Sequence, residues 1–361
     1  MTKPNGRALE AELARIAAHF TGAGAVMVDP PVLQPAETLL DLYGEDIRAR
    51  AYTTRDPLAG ELMLRPDFTV PVVQMHMASG AATARYAYMG KVFRTQDMNE
   101  KRPSEFDQAG FEIFDGSDPA AADAEVFALH SEVLAGLPVR AATGDIGVLM
   151  AAVQGLSTSD HRKAALVRHI WRPRRFRALL DRFGGRSKGP ASRAALLEAA
   201  DPMAFEGVEI GLRSREEVQA RVEALIADAA EPFISGGEVE LLDEILQLRS
   251  KAPDALHRLH DIAVDLPSIN AAVDRIEARL SAMEARGIDV ATLDFEGGYG
   301  RTTMEYYDGF VFGFYADTRP DLPPVALGGR YDALTRALGG ANAAPAVGGV
   351  IRPALTLELS S

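Results

Sequence analysis

The sequence predicts an α+β fold in which a mixed sheet domain is interrupted by an α-helical insertion, and three observations predict it. Two strand-like runs, residues 85–94 and 105–114, are joined by the polar, proline-bearing TQDMNEKRPS and read as one long hairpin. From 151 to 289 alanine, leucine, arginine and glutamate recur at helical spacing, as in EEVQARVEALIADAA and NAAVDRIEARLSAMEARG, with no clear strand. β-like character returns after 290. The expected organisation is one sheet domain built from 1–150 and 290–361, with 151–289 as the insertion.

The elements follow in order. Leu9, Leu13, Ile16, Ala17 and Phe20 share one face of a helix over 7–20. GAGAVMVDPPVL is a short β-like run into Pro30 and Pro31, followed by a helix over 35–43. ELML at 61–64 is a strand stopped by Arg65-Pro66, with a helix behind it over 68–79. After the hairpin, 119–135 is helical and PVRAATGDI is a strand. Beyond 290, TLDFEGG, MEYYDGFVFGFYA and VGGVIRPALTLEL are β-like, and LGGRYDALTRALGG is a turn and a helix.

Composition narrows the function classes. The 361 residues are 47% hydrophobic and 25% charged, ordinary values for a globular chain. A net charge of −13 argues against a general nucleic-acid binder, which carries a basic footprint. Cysteine is absent, so disulfides and thiolate metal sites are excluded and a cytoplasmic setting fits. The N-terminus alternates charged and apolar residues, unlike a secretory signal. No run of about 18 apolar residues occurs, so no membrane span is expected.

Four polar constellations could carry chemistry. Arg65-Pro66-Asp67-Phe68-Thr69 places a carboxylate and a hydroxyl at a strand-to-helix junction, where either could simply cap the helix. Arg94 precedes the hairpin loop, Arg102 lies in it, and Gln108 and Glu112 follow it. Alternation puts Phe106, Gln108 and Glu112 on one face of the return strand and Phe111 and Ile113 on the other. That polar face is either solvated or the wall of a site. The third is Met304-Glu305-Tyr306-Tyr307-Asp308-Gly309, whose aromatics would pack a core as readily as a ligand. The fourth is Gly328-Gly329-Arg330-Tyr331-Asp332 with Ala346-Val347-Gly348-Gly349, glycine turns that alone are weak signals.

Together, in this order, the four resemble the catalytic domain of histidyl-tRNA synthetase, a class II aminoacyl-tRNA synthetase. Asp29-Pro30-Pro31 is similar to that family's dimerisation motif, LRPDFT to its LRPEGT, and Phe93-Arg94 through Glu112 to its second motif. Tyr306-Tyr307 and GGRYDALTRALGG resemble its histidine-recognition segment and GGRYDGL turn. The resemblance covers roughly 7–155 and 290–355 and implies a mixed, mainly antiparallel sheet flanked by helices. It also implies a pocket for free histidine formed by Asp67, Thr69, Arg94, Gln108, Glu112, Tyr306 and Tyr307. Glu112, Gln108, Asp67 and Thr69 would accept from the ammonium and imidazole N–H groups, and Arg94 would face the carboxylate.

The phosphate side departs from that pattern. The synthetase has an arginine four residues before the tyrosine pair; here Thr302 stands there, with Arg301 one place off. Gln96 replaces the second motif's glutamate, and AVGGVIRPAL lacks the third motif's Glu-Arg pair, Arg352 falling before Pro353. No anticodon-binding domain is expected in the sequence as it stands. This combination resembles the family's non-catalytic paralogue, the regulatory subunit of short-form ATP phosphoribosyltransferase. The resemblance implies no catalytic residues, no cofactor and no metal. It further implies histidine as ligand, a homodimer within a hetero-oligomer with the short-form catalytic subunit, and a part in feedback inhibition of histidine biosynthesis. The competing readings are an amino-acid-adenylating ligase that uses Arg301 and Arg352, and a purely structural scaffold whose pocket is vestigial.

Two features stand outside the resemblance. His169–Arg177 is the one dense basic run, either a solvated loop or a partner surface anchored by Trp171 and the arginines. The seven histidines are scattered, and only His257 and His260 share a helix face, without the carboxylates a metal site would need.

Overall fold

The computed structural model of the chain describes residues 6–37, 49–96, 103–204, 211, 213–302, 305–340 and 343–360. The strands, in chain order, are β1 (Val26–Met27), β2 (Leu33–Pro35), β3 (Thr53–Asp56), β4 (Gly60–Leu64), β5 (Ala84–Phe93), β6 (Glu105–Phe114), β7 (Val139–Asp145), β8 (Arg249–Lys251), β9 (Asp294–Glu296), β10 (Phe310–Ala316), β11 (Ala326–Arg330) and β12 (Ala346–Ile351). The expected hairpin is β5–β6, antiparallel from Ala84 opposite Phe114 to Phe93 opposite Glu105. It lies within a nine-stranded sheet of order β1-β5-β6-β12-β11-β10-β7-β9-β8. Pairing there is antiparallel except for β1 with β5 and β7 with β9. The expected mixed, mainly antiparallel sheet is therefore present. A small second sheet, β2-β4-β3, leads into the helix Thr69–Ser79.

The alternation along β6 decides what lies on each face. Phe111 turns toward the helices Gly6–Gly22 and Pro119–Val133, its ring 5.5 Å from Phe20, which is in turn 5.5 Å from His130. The opposite face carries Gln108 and Glu112, each only 1% exposed, so the polar face is not a solvated one.

Between 146 and 285 the chain is mainly helical, from Ile146–Gly155 to Asn270–Ala285. Two of these helices start in reciprocal capping boxes, Ser214 with Glu217 and Ser235 with Glu238, which satisfy otherwise orphaned N–H groups. Arg279, on Asn270–Ala285, reaches back to the sheet-side elements and pairs with Asp123 at 3.0 Å and Asp145 at 2.7 Å. Asp123 also pairs with Arg330 of β11 at 2.7 Å, so four buried charges close one network.

Several local expectations are corrected. β8 is a strand within the stretch expected to have none; its three residues are too few to show a period. Leu327–Arg330 is strand, not turn: glycines 328 and 329 are held extended by ladders to β10 and β12. After β12 the chain does not stay extended, because Pro353 opens the helix Pro353–Ser360. Glu305–Gly309 lies in a turn and loop, and β10 begins only at Phe310. Pro35 belongs to β2, and most of the helix expected over 35–43 lies outside the described residues, as do Arg102 and Met304.

Candidate functional site

A cavity of about 180 Å³ opens on the polar face of the central sheet, lined among others by Asp67, Thr69, Arg94, Gln108, Tyr306 and Tyr307. Six of the seven expected site residues thus meet at one space. The seventh, Glu112, lies buried behind it. The elements explain the convergence. Asp67 and Thr69 sit where β4 passes into the helix Thr69–Ser79, Gln108 projects from β6, Arg94 follows β5, and the tyrosines arrive on the turn before β10.

Thr69 does not cap its helix: Phe68 holds the N-cap position without a side-chain cap bond. Instead Thr69 Oγ1 donates to Glu112 Oε1 at 3.1 Å. Tyr88 donates to the same oxygen at 2.7 Å and Tyr331 to Oε2 at 2.6 Å. Sequence reasoning passed over Tyr88 entirely and left Tyr331 in a motif without a role. The available signal was parity, since Tyr88 pairs with Gly110, which lies on the same face as Gln108 and Glu112.

Glycines make room for this cluster. A Cβ at Gly110 would sit 2.4 Å from the Tyr88 ring. Gly348 faces Glu112 in the β12–β6 register, and a Cβ there would lie 1.3 Å from Glu112 Oε2. The Gln108 carbonyl Oε1 is buried with no hydrogen-bond partner among the described residues, and Gln108 lines the cavity.

Three arginines border the cavity: Arg50, Arg94 and Arg352. Arg94 Nε donates to the Pro66 carbonyl at 2.8 Å, and its guanidinium lies 5.8 Å over Phe106. Arg352, out of register with the expected motif, nevertheless reaches this border, where Nη1 donates to the Pro324 carbonyl. Gln96 instead lines an adjoining smaller cavity of about 70 Å³ together with the same three arginines.

Thr302 lines the cavity and Arg301 does not. No strand runs through Arg301, so strand alternation is not what turns it away. Its Nε donates to the Ile170 carbonyl at 2.8 Å and its guanidinium lies 4.8 Å over Phe176. Burial there lowers the Arg301 pKa to about 10. The basic run His169–Arg177 is therefore neither a loop nor fully solvated: it enters the helix Pro173–Phe183, and the indole N–H of Trp171 donates to the Tyr307 carbonyl at 3.2 Å.

Burial raises the Glu112 pKa from 4.5 to about 7; the bonds from Tyr331, Tyr88 and Thr69 oppose this and the Asp67 charge adds to it. Burial likewise raises Tyr307, with Glu112 and Asp67 contributing. A carboxyl whose pKa is higher in the folded state binds more protons there than in the unfolded chain. Its contribution is fully present below the unfolded value and is lost as pH climbs from about 4.5 to about 7. Glu112→Gln does not titrate and should flatten that decline in thermal melts between about pH 5 and about pH 8. Parallel slopes for the two proteins would rule the effect out.

Comparison with known proteins gives the following. The family model described as histidyl-tRNA synthetase matches residues 2–231 and 213–354. A protein of Allorhizobium ampelinum named ATP phosphoribosyltransferase regulatory subunit is 33% identical over 357 residues, covering 91% of this chain and 92% of the relative. A Brucella canis protein of the same name is 30% identical, with 90% of each chain covered. The solved structure of an ATP phosphoribosyltransferase regulatory subunit/histidyl-tRNA synthetase from Bacillus halodurans C superposes with a TM-score of 0.69 at 21% identity. It covers all of this chain and 81% of that one, and the fold is therefore class II synthetase-like.

Proposed function

The chain belongs to the histidyl-tRNA synthetase-like family of ATP phosphoribosyltransferase regulatory subunits, and on that premise we propose that it binds free histidine and transmits its presence to a separate catalytic subunit, with no catalysis of its own. The observation that carries the reading is the split character of the cavity. The expected amino-acid side is assembled from Asp67, Thr69, Gln108, Tyr306 and Tyr307, while the arginine nearest the lost phosphate position is turned to Ile170.

In this reading the ammonium group takes acceptors from Asp67, Thr69 and Gln108, and Arg94 faces the carboxylate. The imidazole lies among Tyr306, Tyr307 and the Glu112 cluster. Glu112 acts chiefly by fixing the hydroxyls of Thr69, Tyr88 and Tyr331, since these three already occupy its oxygens. A pocket built from oriented hydrogen-bonding groups discriminates well, because an analogue lacking one partner leaves a buried group unpaired. Histidine can restrain the partner only by binding one state of the assembly more tightly than another. We place the protein in the cytoplasm as a homodimer within a hetero-oligomer; no helix among the described residues is long and apolar enough to cross a membrane.

The test is to mix the chain with a short-form catalytic subunit and follow phosphoribosyl transfer. Activity should require the chain and should fall when histidine is added. Unchanged activity with and without the chain would reject the reading. A second reading, histidine adenylation, is favoured by Arg50, Arg94 and Arg352 at the cavity border. Histidine-dependent exchange of pyrophosphate into ATP by the purified chain would establish it in place of the first.

A further inference from the structure

The connection between the helices Asp160–Arg168 and Pro173–Phe183 has two differently occupied sides. Its inner side grips the segment that carries the cavity tyrosines. Trp171 donates to the Tyr307 carbonyl, Arg172 lies 3.6 Å from Glu305, and Arg301 is fixed between the Ile170 carbonyl and the Phe176 ring. Arg301 Nη2 is buried there with no hydrogen-bond partner among the described residues, so this contact is made at a cost in desolvation.

The outer side presents Arg168, Arg174 and Arg175, all exposed. Four other arginines of the helical region are paired, Arg162 and Arg193 with Asp228 and Arg177 and Arg186 with Asp243, whereas Arg182 Nε is buried without a hydrogen-bond partner among the described residues. The three outer guanidiniums have no such carboxylate among the described residues, in a chain with 51 acidic residues against 38 basic. Arg174 and Arg175 are adjacent on one helix, and Arg168 and Arg175 both bear on His169. The imidazole of His169 has its pKa lowered by burial and then by Arg172, Arg175 and Arg168. In a chain with carboxylates in excess, a cluster of cations left without them is suited to carboxylates supplied from outside.

We propose that this connection is a two-sided relay: an acidic surface of the catalytic subunit docks on Arg168, Arg174 and Arg175, and pocket occupancy acts on that contact through the Trp171–Tyr307 and Arg301–Ile170 bonds. The proposal rests on the regulatory reading above and specifies its partner surface. Histidine that reorders Tyr306 and Tyr307 must shift a backbone whose far side is bonded to Trp171. The partner-facing helix starts two residues later, at Pro173.

Two variants test it against the wild-type chain. Arg174→Glu/Arg175→Glu should bind the short-form catalytic subunit about tenfold more weakly, with a shallower salt dependence, because repulsion replaces attraction. Its histidine titration heat as an isolated chain should not change. Unchanged affinity for the catalytic subunit, where the wild-type chain binds it, would overturn the surface and leave the regulatory reading standing. Failure of the wild-type chain to bind at all would remove both. Trp171→Phe keeps an aromatic ring and removes the N–H donor. It should bind the catalytic subunit normally without histidine, and reduce by about threefold the change in that affinity caused by histidine. A full wild-type response in Trp171→Phe would overturn the relay.

Discussion

Arg279→Ala is expected to lower the stability of the chain by about 3–5 kcal/mol, because it strands the buried Asp145 carboxylate and takes one of two cations from buried Asp123. Arg279 donates to Asp123 and Asp145, and all three side chains are at most 5% exposed. Arg330 can compensate Asp123 but not Asp145, which has no second ion pair among the described residues and otherwise accepts from the Gly147 N–H. The guanidinium also lies 4.4 Å over Phe310, so alanine removes packing as well as charge. Denaturant titration of the two proteins measures the difference directly. A loss below about 1 kcal/mol would mean that the network is no stronger than an exposed pair.

Glu112→Ala should abolish the heat of histidine binding and lower the melting temperature together. Three buried hydroxyls, of Thr69, Tyr88 and Tyr331, lose their acceptor, at about 1–3 kcal/mol for each one left unsatisfied. The cavity wall then loses the orientation of Thr69, which lines it directly. Glu112→Gln separates the two effects. Its amide carbonyl still accepts, so the fold should be largely kept, while the amide N–H₂ confronts a hydroxyl that had been donating. Titration calorimetry and melts on both variants decide the matter. Undiminished histidine heat in Glu112→Ala would remove Glu112 from the site.

Much of this site was legible because its residues fall where local patterns are strong. β6 spans the expected residues, and its alternation correctly separated Gln108 and Glu112 from Phe111. What bonds to Glu112 was legible only in part: parity across the β5–β6 hairpin puts Tyr88 on its face, whereas Tyr331 arrives from 219 residues away, where no local pattern reaches. Glycine-rich β11 looked like a turn because glycine has no side chain to display a period; its extended form comes from the ladders on either side. PALTLEL looked extended because its leucines alternate, yet Pro353 at the first helical position was the stronger signal. Arg50 escaped notice for want of any motif around it.

The pairing of Gly348 with Glu112 also constrains how such a chain can change over time. Any side chain at 348 would occupy the space of the Glu112 carboxylate, so substitution there is blocked while the glutamate remains. A shorter residue at 112 would open that space, after which 348 could drift and the return to glutamate would be closed. The two positions form a ratchet: the order of mutations matters, and a lineage that loses the carboxylate first has no single-step way back once the glycine is gone.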